Sequence, residues 1–407
     1  MRVIGLDVSR TFGEIAYLEN GLLRPGGRVV LQHAELERFA QSLRASDEVV
    51  LEATGNTAAI VTALKPHVAK VVIANPLQVR LIAEARVKTD KIDAAILAQL
   101  YASGFLPQVW MPDERTLTLR RQVARRSQIV RHRTRLKNEI HGVLASHLIP
   151  HCPATDLFGN KGRAWLGQQP LPMDERLAVE QRLRELDRLQ EDLAAIENLL
   201  CKSVLQEEQV KRLLTITGVN CIVAIGLLAA IGDIGRFASA AKLVSYFGLN
   251  PRVRQSGLQP AQHGHISKVG RAHARAMLVE AAWSAANAPG PLRAFFLRIR
   301  GRRGQQIAAV ATARKLAVIA WHVLTGQEDF AWTRPALAAR KRRELELRAG
   351  LPVKKGHRGP AADYNGKEIR EREHAAAQLA EQAYTRFVAN WQPRNKSSPP
   401  PLTPLGR

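Results

Sequence analysis

Near its N-terminus the chain reads Val3-Ile4-Gly5-Leu6-Asp7-Val8-Ser9, and these residues indicate the fold class of the N-terminal part. It is typical of a buried β-strand because apolar side chains dominate it, yet one carboxylate, Asp7, lies inside it. Further short apolar runs follow, separated by stretches with helical periodicity. The predicted strands are Val3–Val8, Ile15–Leu18, Val29–Leu31, Glu48–Leu51 and Lys70–Ala74, with helices near 34–43, 58–64 and 88–101. Three antiparallel strands followed by alternating helices and strands predict an α/β sandwich over residues 1–110.

Three more carboxylates lie where they can meet Asp7. Glu52 ends the apolar run Val49-Val50-Leu51, while Asp90 and Asp93 are three residues apart on one face of a predicted helix. Two acids at strand ends and two on a nearby helix can surround a pair of Mg²⁺ ions, which prefer oxygen ligands. Two such ions activate an attacking oxygen and stabilise a leaving one, which is the chemistry of ribonuclease-H-like nucleases.

Each of these acids also has an ordinary structural interpretation. Asp7 fits a strand edge or a cap, and Glu52 fits the acidic first turn of a helix. Asp90 and Asp93 fit solvated first-turn acids. The stretch 5–9 also resembles the phosphate-binding hairpin of actin-like ATPases and sugar kinases. Those proteins repeat a D-x-G hairpin in a second domain, however, and this chain shows no convincing internal repeat.

The charge balance predicts a polyanionic partner. The 407 residues include 60 Lys and Arg against 36 Asp and Glu, which leaves a net charge of +24. No fold needs that excess, so nucleic acid or an anionic membrane surface is the natural partner, and nucleic acid is favoured. The three cysteines, Cys152, Cys201 and Cys221, indicate neither a zinc site nor a disulfide framework. Apolar stretches such as 221–231 are shorter than a membrane span, so a soluble cytoplasmic protein is expected.

The rest of the chain is predicted to be mainly helical. Residues 111–205 hold a long basic helix, Arg115–Leu144, and a segment in which Val179, Leu186, Leu193 and Leu200 recur every seven residues. This heptad spacing favours a coiled-coil hairpin or a dimer seam, although a helix lying on a globular core fits equally well. The apolar face assigned to the basic helix comprises Leu119, Val123, Val130, Leu136, Ile140 and Leu144.

Residues 206–330 are predicted to form a second, mostly helical compact domain, followed by a basic extension over 331–407. The extension contains Lys354-Lys355, a helix between Lys367 and Trp391, and a Pro/Ser-rich end that is expected to be disordered from Gln392. Near the start of the second domain, residues 213–220 resemble a helix-hairpin-helix, whose turn presents backbone N–H groups to a DNA phosphate. Asn220 occupies the position of the usual second glycine, because Asn tolerates a left-handed conformation. A plain helix-helix turn is the alternative.

A serine in this domain lies among cations. Ser256 is part of a loop bounded by Gly and Pro, with Arg252, Arg254 and Lys268 nearby in sequence. A serine alcohol attacks phosphorus only when it is positioned and the developing charge is offset by cations or a metal. By composition alone, Ser256 is more typical of an ordinary turn residue.

In combination, these segments resemble the DEDD-type insertion-sequence transposases, a family that includes site-specific DNA invertases. The N-terminal motifs are G-L-D-V-S, L-E-A-T-G, N-P and K-T-D-K-I-D-A, and the middle motif runs from Arg120-Arg121 through Arg133-Thr134 to Lys137-Asn138. The C-terminal motifs are I-G-D-I-G-R-F, Y-F-G-L-N-P, Q-S-G and I-S-K-V-G. They occur in family order across roughly residues 1–325. The chain departs from the family pattern after I-S-K-V-G, where it has Arg271-Ala272-His273-Ala274-Arg275, and in its long extension after Gly326.

The resemblance implies a fold, a site and partners. It implies a ribonuclease-H-like (Holliday-junction-resolvase-like) N-terminal domain, a coiled-coil middle and a mainly α C-terminal domain. It implies Mg²⁺ bound by Asp7, Glu52, Asp90 and Asp93, and Ser256 as a nucleophile that becomes linked to DNA. It also implies a homodimer or homotetramer with a composite active site, and a structured noncoding guide RNA. The residues expected to contact nucleic acid are Arg120, Arg121, Arg125, Arg126, Arg133, Lys137, Asn138, Arg252, Arg254 and Lys268.

We therefore expect an RNA-guided DNA transposase or recombinase that uses Mg²⁺ and Ser256. One alternative is a metal-only nuclease of the junction-resolving kind, in which Ser256 is structural. The other is a non-enzymatic, basic nucleic-acid-binding protein.

Overall fold

In the computed structural model the chain forms two compact units, Met1–Asp113 and Glu114–Arg407. The structure describes residues 2–82, 89–257, 259–353, 364 and 366–390. The division lies close to the boundary predicted at residue 110. The predictions for Lys88, for Lys354-Lys355 and for the tail from Gln392 fall outside the described residues.

The N-terminal unit is a five-stranded sheet with helices on both faces. The strand order is β3-β2-β1-β4-β5; β1 pairs antiparallel with β2 and parallel with β4. This mixed sheet confirms the predicted α/β organisation of a ribonuclease-H-like domain. The elements are β1 Arg2–Val8, β2 Phe12–Glu19, β3 Leu22–Val30, α1 His33–Gln41, β4 Glu48–Glu52, α2 Thr57–Leu64, β5 Lys70–Ala74, α3 Pro76–Ile82 and α4 Asp90–Ala102.

Strand alternation divides the apolar residues between two cores. Ile4 and Leu6 of β1 point to one face, where they pack with residues of α1 and α2 such as Ile60. Val3 of β1 points to the opposite face and packs with Leu97 of α4. Gly5 and Asp7 share the face of Val3, so the side chain of Asp7 is on the α4 side of the sheet.

The second unit is built mainly from helices. Its elements are α5 Glu114–Ser146, α6 Asn160–Gly167, α7 Met173–Ser203, α8 Glu208–Leu213, α9 Cys221–Ile231, a 3-10 helix at Ile234–Arg236, α10 Ala240–Tyr246, β6 Pro251–Arg254, β7 Gln262–Ile266, α11 Ala272–Asn287, α12 Pro291–Arg303, α13 Gln305–Gly326, α14 Pro335–Arg348 and α15 Lys367–Ala389. The long basic helix and the helix after residue 367 are as predicted. The hairpin formed by β6 and β7 was not predicted, because the sequence indicated a mostly helical domain with a loop around Ser256.

Helices α5 and α7 form an antiparallel hairpin. Their ion pairs show the direction, because partners further along α5 bind residues further back on α7. The pairs are Arg126 with Glu197, His132 with Glu185, and Glu139 with Arg182. The heptad residues of α7 are buried, which fits a hairpin within one chain, while knobs-into-holes coiled-coil packing stays a prediction. On α5, Ile129 is buried and Val130 only half-buried, so the apolar face predicted through Val130 was shifted by one residue there.

The turn between α8 and α9 lies inside the helical core. Leu214 and Ile216 are completely buried, and a Cβ added to Gly218 would lie 2.4 Å from the Ala281 carbonyl oxygen of α11. Asn220 is extended rather than left-handed, and its side chain caps α9 by accepting a hydrogen bond from the Val223 backbone N–H at 2.9 Å. The predicted left-handed Asn220 is therefore wrong. The burial favours a plain helix-helix turn over one that offers its N–H groups to DNA.

Helix α14 closes this core, so the segment after residue 330 is not a separate appendage. The buried Lys341 donates hydrogen bonds of 2.9 Å to the carbonyl oxygens of Leu214 and Ile216. Burial, together with the charges of Arg340 and Arg334, lowers the pKa of Lys341 to about 8. The boundaries predicted at 205 and 330 both fall within the second compact unit.

Helix α13 is long and apolar enough to cross a membrane by length and composition, contrary to the expectation that every apolar stretch is too short. Its apolar residues include Ala313, Leu316 and Ala317, which are buried against the rest of the helical core. Packing within the unit accounts for this apolar character, since the core helix of a globular protein passes the same test.

Gly5 provides a test of how α4 is held on the sheet. A Cβ at this position would lie 1.9 Å from the Ala94 carbonyl oxygen, so Gly5→Val must push the helix away from β1. We expect the unfolding free energy of the N-terminal unit to fall by about 3 kcal/mol in urea denaturation. Gly55→Ala is the matched control, because a Cβ there meets open space, and it should change stability by no more than about 0.5 kcal/mol. Equal urea midpoints for the two variants would contradict this packing.

Candidate active site

The first two candidate ligands lie on adjacent parallel strands. Leu6 of β1 pairs with Leu51 of β4, so Asp7 and Glu52 are the next residues on each strand. Both side chains are half-buried at the carboxyl ends of their strands. Because strand alternation places Glu52 on the same face as Val50, which packs with Val3 and Leu97, both carboxylates are on the α4 side of the sheet.

The other two acids lie in the first turn of α4. Thr89 caps this helix, its hydroxyl accepting a hydrogen bond from the Ile92 backbone N–H at 3.4 Å. Asp90 is exposed and Asp93 is half-buried. The capping and the negative charges are both favourable at a helix N-terminus, where backbone N–H groups carry partial positive charge.

The direction of α4 brings its first turn to the same end of the sheet as Asp7 and Glu52. Ala94 of the helix lies against Gly5, whereas Leu97, one turn later, packs with Val3. The helix therefore runs opposite to β1, and its N-terminus lies at the end where β1 and β4 finish. The chain fold collects all four predicted acids at one end of one face.

The four acids do not form a closed ligand set. Among the residues that the structure describes, no group of three or more His, Cys, Asp or Glu side chains is close enough to hold a metal ion. Their chemistry nevertheless fits a hard divalent cation, which takes a few carboxylates together with waters and substrate phosphate.

Ser256 lies at the exposed tip of the β6–β7 hairpin, between strands that pair from Pro251 with Ile266 to Arg254 with Gln262. Arg252 and Arg254 of β6 are exposed, and the Arg252 guanidinium donates to the Ser267 carbonyl oxygen at 3.5 Å, at the base of the hairpin. Lys268, also exposed, follows β7 at the base of the hairpin.

Two family motifs fasten the base of this hairpin. The Ser267 backbone N–H donates to the Asn250 carbonyl oxygen at 2.8 Å, and its hydroxyl contacts the Asn250 side chain at 3.0 Å. A Cβ at Gly270 would lie 2.2 Å from the Tyr246 carbonyl oxygen, so the glycine of I-S-K-V-G is required for this close approach. Y-F-G-L-N-P and I-S-K-V-G are thus partners, and together they present Ser256.

Tyr246, which was not predicted as a site residue, contacts arginines from three other segments of the chain. The Tyr246 hydroxyl accepts hydrogen bonds from Arg271 at 2.8 Å and Arg120 at 3.4 Å, and the Arg236 guanidinium stacks 4.4 Å from its ring centroid. Burial raises the pKa of Tyr246, but the charges of Arg271, Arg120 and Arg236 outweigh burial and hold that pKa below its usual value. The positions of Arg120 and Arg236 in the quoted motifs were the available signal, whereas Arg271 directly follows I-S-K-V-G, where the chain departs from the family pattern.

Many of the basic side chains of α5 are already engaged within the unit. Arg120 donates to the carbonyl oxygens of Ala229 and Ala230 at the end of α9, at 2.8 and 2.9 Å. Arg126 binds Glu197 at 2.8 Å. The other engaged side chains are Arg115 with Glu207, Arg121 with Glu114, Arg125 with Asp192 and Arg135 with Glu139.

In the C-terminal half of α5, fewer of the positive charges are paired with acids. Lys137 lies over the Phe158 ring at 4.5 Å from its centroid, Asn138 is exposed, and Arg133 is half-buried with its Nε atom without a hydrogen-bond partner among the described residues. Among the α5 residues expected to bind nucleic acid, Arg120 differs because its guanidinium N–H groups donate to backbone carbonyl oxygens of the same unit.

The chain is similar to known transposases over both units. The profile of the DEDD transposase of IS110 matches residues 4–149, and that of the transposase IS116/IS110/IS902 family matches residues 210–297. A Sinorhizobium fredii protein named as a transposase, y4qE, is 27% identical over 69% of this chain and 71% of its own length. The transposase for insertion sequence element IS1111A of Coxiella burnetii is 26% identical over 60% of this chain and 68% of its own.

A DNA-inverting protein is among the relatives as well. The pilin gene-inverting protein of Moraxella bovis is 28% identical over 65% of this chain and 75% of its own. The DEDD profile implies dependence on a divalent metal ion, and its matched region contains all four candidate acids. The chain therefore contains the DEDD transposase domain of IS110 and the transposase domain of the IS116/IS110/IS902 family, and it is a DNA transposase.

Proposed function

We propose that this transposase breaks and rejoins DNA with Mg²⁺ held by its N-terminal unit and with Ser256 as the nucleophile. The metal part is supported by the position of the four acids at one end of one face of the sheet, two at strand ends and two in the first turn of α4. The ligands proposed for Mg²⁺ are Asp7, Glu52, Asp90 and Asp93.

Two of these ligands are fixed by the sheet and two by the helix. Asp7 and Glu52 are held at neighbouring positions by the hydrogen bonds between β1 and β4, while α4 is positioned by its contact with Gly5. A bound divalent ion would polarise the scissile phosphate and stabilise the charge that develops on the oxygens around it. The carboxylates supply the oxygen ligands and the negative charge that attract the ion.

Removing a ligand should abolish catalysis and spare the fold. We expect Asp7→Asn and Asp90→Asn each to lower DNA strand transfer in Mg²⁺ by about 100-fold or more. The stability of both variants should be close to wild type, since each removes a negative charge from an acidic region. Glu19→Gln is the matched control. Glu19 of β2 pairs with Arg2 at the start of β1, so it lies at the opposite end of the sheet from Asp7. Undiminished activity in either Asn variant would contradict the assignment.

The serine step conserves the energy of the broken bond. The Ser256 Oγ attacks phosphorus and loses its proton, the Oγ–P bond forms, and the P–O bond to the deoxyribose breaks as the departing oxygen takes up a proton. A sugar hydroxyl of another strand then attacks the phosphoserine and releases the serine. The exposed hairpin tip and the neighbouring Arg252 and Arg254 support this role, since cations stabilise the charge on the phosphate.

Ser256→Ala separates this scheme from a metal-only nuclease. We expect the variant to bind DNA as tightly as wild type, because one hydroxyl contributes little to a polyelectrolyte interface, and to give no covalent adduct and no recombinant. The measurement is a denaturing gel of labelled DNA with and without protease treatment. Gln255→Ala, a change in an adjacent exposed side chain, should keep both products. If water is the nucleophile instead, Ser256→Ala still nicks DNA and leaves free ends, which would remove the serine from the mechanism.

The partners in this proposal are DNA, a structured noncoding guide RNA and further copies of the chain, as a homodimer or homotetramer acting in the cytoplasm. The resemblance to the family and the net charge of +24 support the two nucleic acids. The RNA would select the DNA by base pairing, while the protein contacts both backbones.

A guide RNA should be recoverable with the protein. Expressed together with the DNA that flanks its gene, the protein should co-purify with one discrete transcript from that DNA and release it at high salt. Sequencing of the bound RNA is the measurement. A random pool of cellular RNA, together with full recombination by RNA-free protein, would refute the guide and leave the transposase intact.

A further inference from the structure

The segment that forms α12 and α13 carries positive charge without acidic neighbours in sequence. Between Glu280 and Glu328 there is no Asp or Glu, while the same segment holds seven basic residues: Arg293, Arg298, Arg300, Arg302, Arg303, Arg314 and Lys315. Among the described residues, only Arg293 of these seven forms an ion pair, at 3.9 Å from Glu381. The other six cations therefore have no acidic partner among the described residues of the unit.

Helix α5 shows the opposite situation, although it is equally basic by sequence. Six of its nine Arg and Lys side chains contact acids or backbone carbonyl oxygens of the same unit. Antiparallel packing on α7 is responsible for two of these contacts, because it places Asp192 and Glu197 opposite Arg125 and Arg126. Tertiary structure thus leaves a larger share of the cations unpaired at α12 and α13 than along α5.

The turn between α12 and α13 packs on the protein through apolar side chains and exposes its charged side chains to solvent. Phe296, Ala308 and Ala309 bury its inner side in one apolar cluster. Gly304 joins the helices with a φ of 84°, which only glycine adopts without strain. Every residue from Gly301 to Ile307 is exposed. A groove of about 260 Å³ lies at this turn, lined by Arg298, Ile299, Arg302, Arg303, Ile307 and Ala311.

We propose that the α12–α13 turn is a docking surface for the phosphodiester backbone of a nucleic acid, with Arg298, Arg302 and Arg303 as its principal contacts. Arg298 and Arg302 are one helical turn apart, so their guanidinium groups emerge on the same side of α12. Guanidinium groups bind phosphate oxygens bidentately and carry charge at every physiological pH. The N-terminus of α13 begins directly beside them and adds partial positive charge from backbone N–H groups.

An anionic membrane is the less suitable partner for this surface. Membrane binding by a basic helix needs a broad apolar face next to its charges. The apolar residues of α13, among them Leu316 and Val323, are buried against the helical core. What remains exposed at the turn is chiefly arginine and glutamine with the single large apolar side chain Ile307, which matches a polyanion in water.

The test compares the double variant Arg302→Ala/Arg303→Ala with two matched controls. Arg302→Lys/Arg303→Lys keeps the charge at the turn. Arg38→Ala/Arg44→Ala removes the same charge from the N-terminal unit, where both arginines are ion-paired. Binding of the full-length chain is measured by fluorescence anisotropy with a labelled DNA duplex of about 20 base pairs and, separately, a labelled RNA hairpin. EDTA is present, so the inference, which rests on nucleic-acid handling by a transposase, is tested independently of the proposed metal and serine chemistry.

We expect the Ala pair at the turn to weaken binding of at least one probe about tenfold at physiological salt. We also expect the slope of log K against log salt to fall by about 1 for each phosphate that the variant no longer neutralises. The Lys pair should keep the wild-type slope, and the Arg38/Arg44 pair should keep both slope and affinity. The probe that is affected identifies the docked backbone as DNA or RNA. Unchanged affinity for both probes would overturn the proposal, as would an equal reduction in the Arg38/Arg44 control.

Discussion

The close approach of α4 to β1 at Gly5 is the contact on which the candidate site depends. A helix normally packs on a sheet at the distance set by side chains on both elements, but Gly5 has no side chain, so the backbone of Ala94 lies directly against the strand. The contact fixes both the depth and the position of α4 along β1. Asp90 and Asp93 lie within about one helical turn before Ala94. They are therefore at the end of the sheet where Asp7 lies near the end of β1 and Glu52 ends β4.

The second unit shows how packing redistributes charge that appears uniform in sequence. Several arginines of α5 make contacts that hold the unit together. Arg126 and Arg348 both bind Glu197, and Arg120 binds carbonyl oxygens near the end of α9. Each such contact satisfies a group that would otherwise be costly to bury. In the described part of the chain, six of the seven cations of α12 and α13 have no acidic partner and so remain available to an external polyanion.

The C-terminal motifs contact one another and together hold the base of the β6–β7 hairpin. Tyr246 receives Arg120, Arg236 and Arg271, so residues from three separate segments meet at one phenol. The residues immediately after it, through Asn250, bind the segment that follows β7. The hairpin that carries Ser256 is therefore anchored at its base to a packed, charged cluster while its tip stays exposed. That combination keeps Ser256, the proposed nucleophile, at the surface without covering it.

The elements whose pattern is local follow from the sequence alone. The strands of the N-terminal unit follow from short apolar runs, the long helices from their periodicity, and the four acids from their placement in or beside those elements.

Features that depend on distant partners appear only in the folded chain. The β6–β7 hairpin has short, polar strands, and its base is held by the hydrogen bonds between Asn250 and Ser267 and by the close approach of Gly270 to Tyr246. Asn220 adopts the conformation of a helix cap because α9 begins beside it. Whether an arginine is free or paired depends on which helix folds back against it, and for Arg126 that partner, Glu197, is 71 residues away. Local pattern carries no information about such a pairing, because its energy comes from a contact that exists only after the chain has folded.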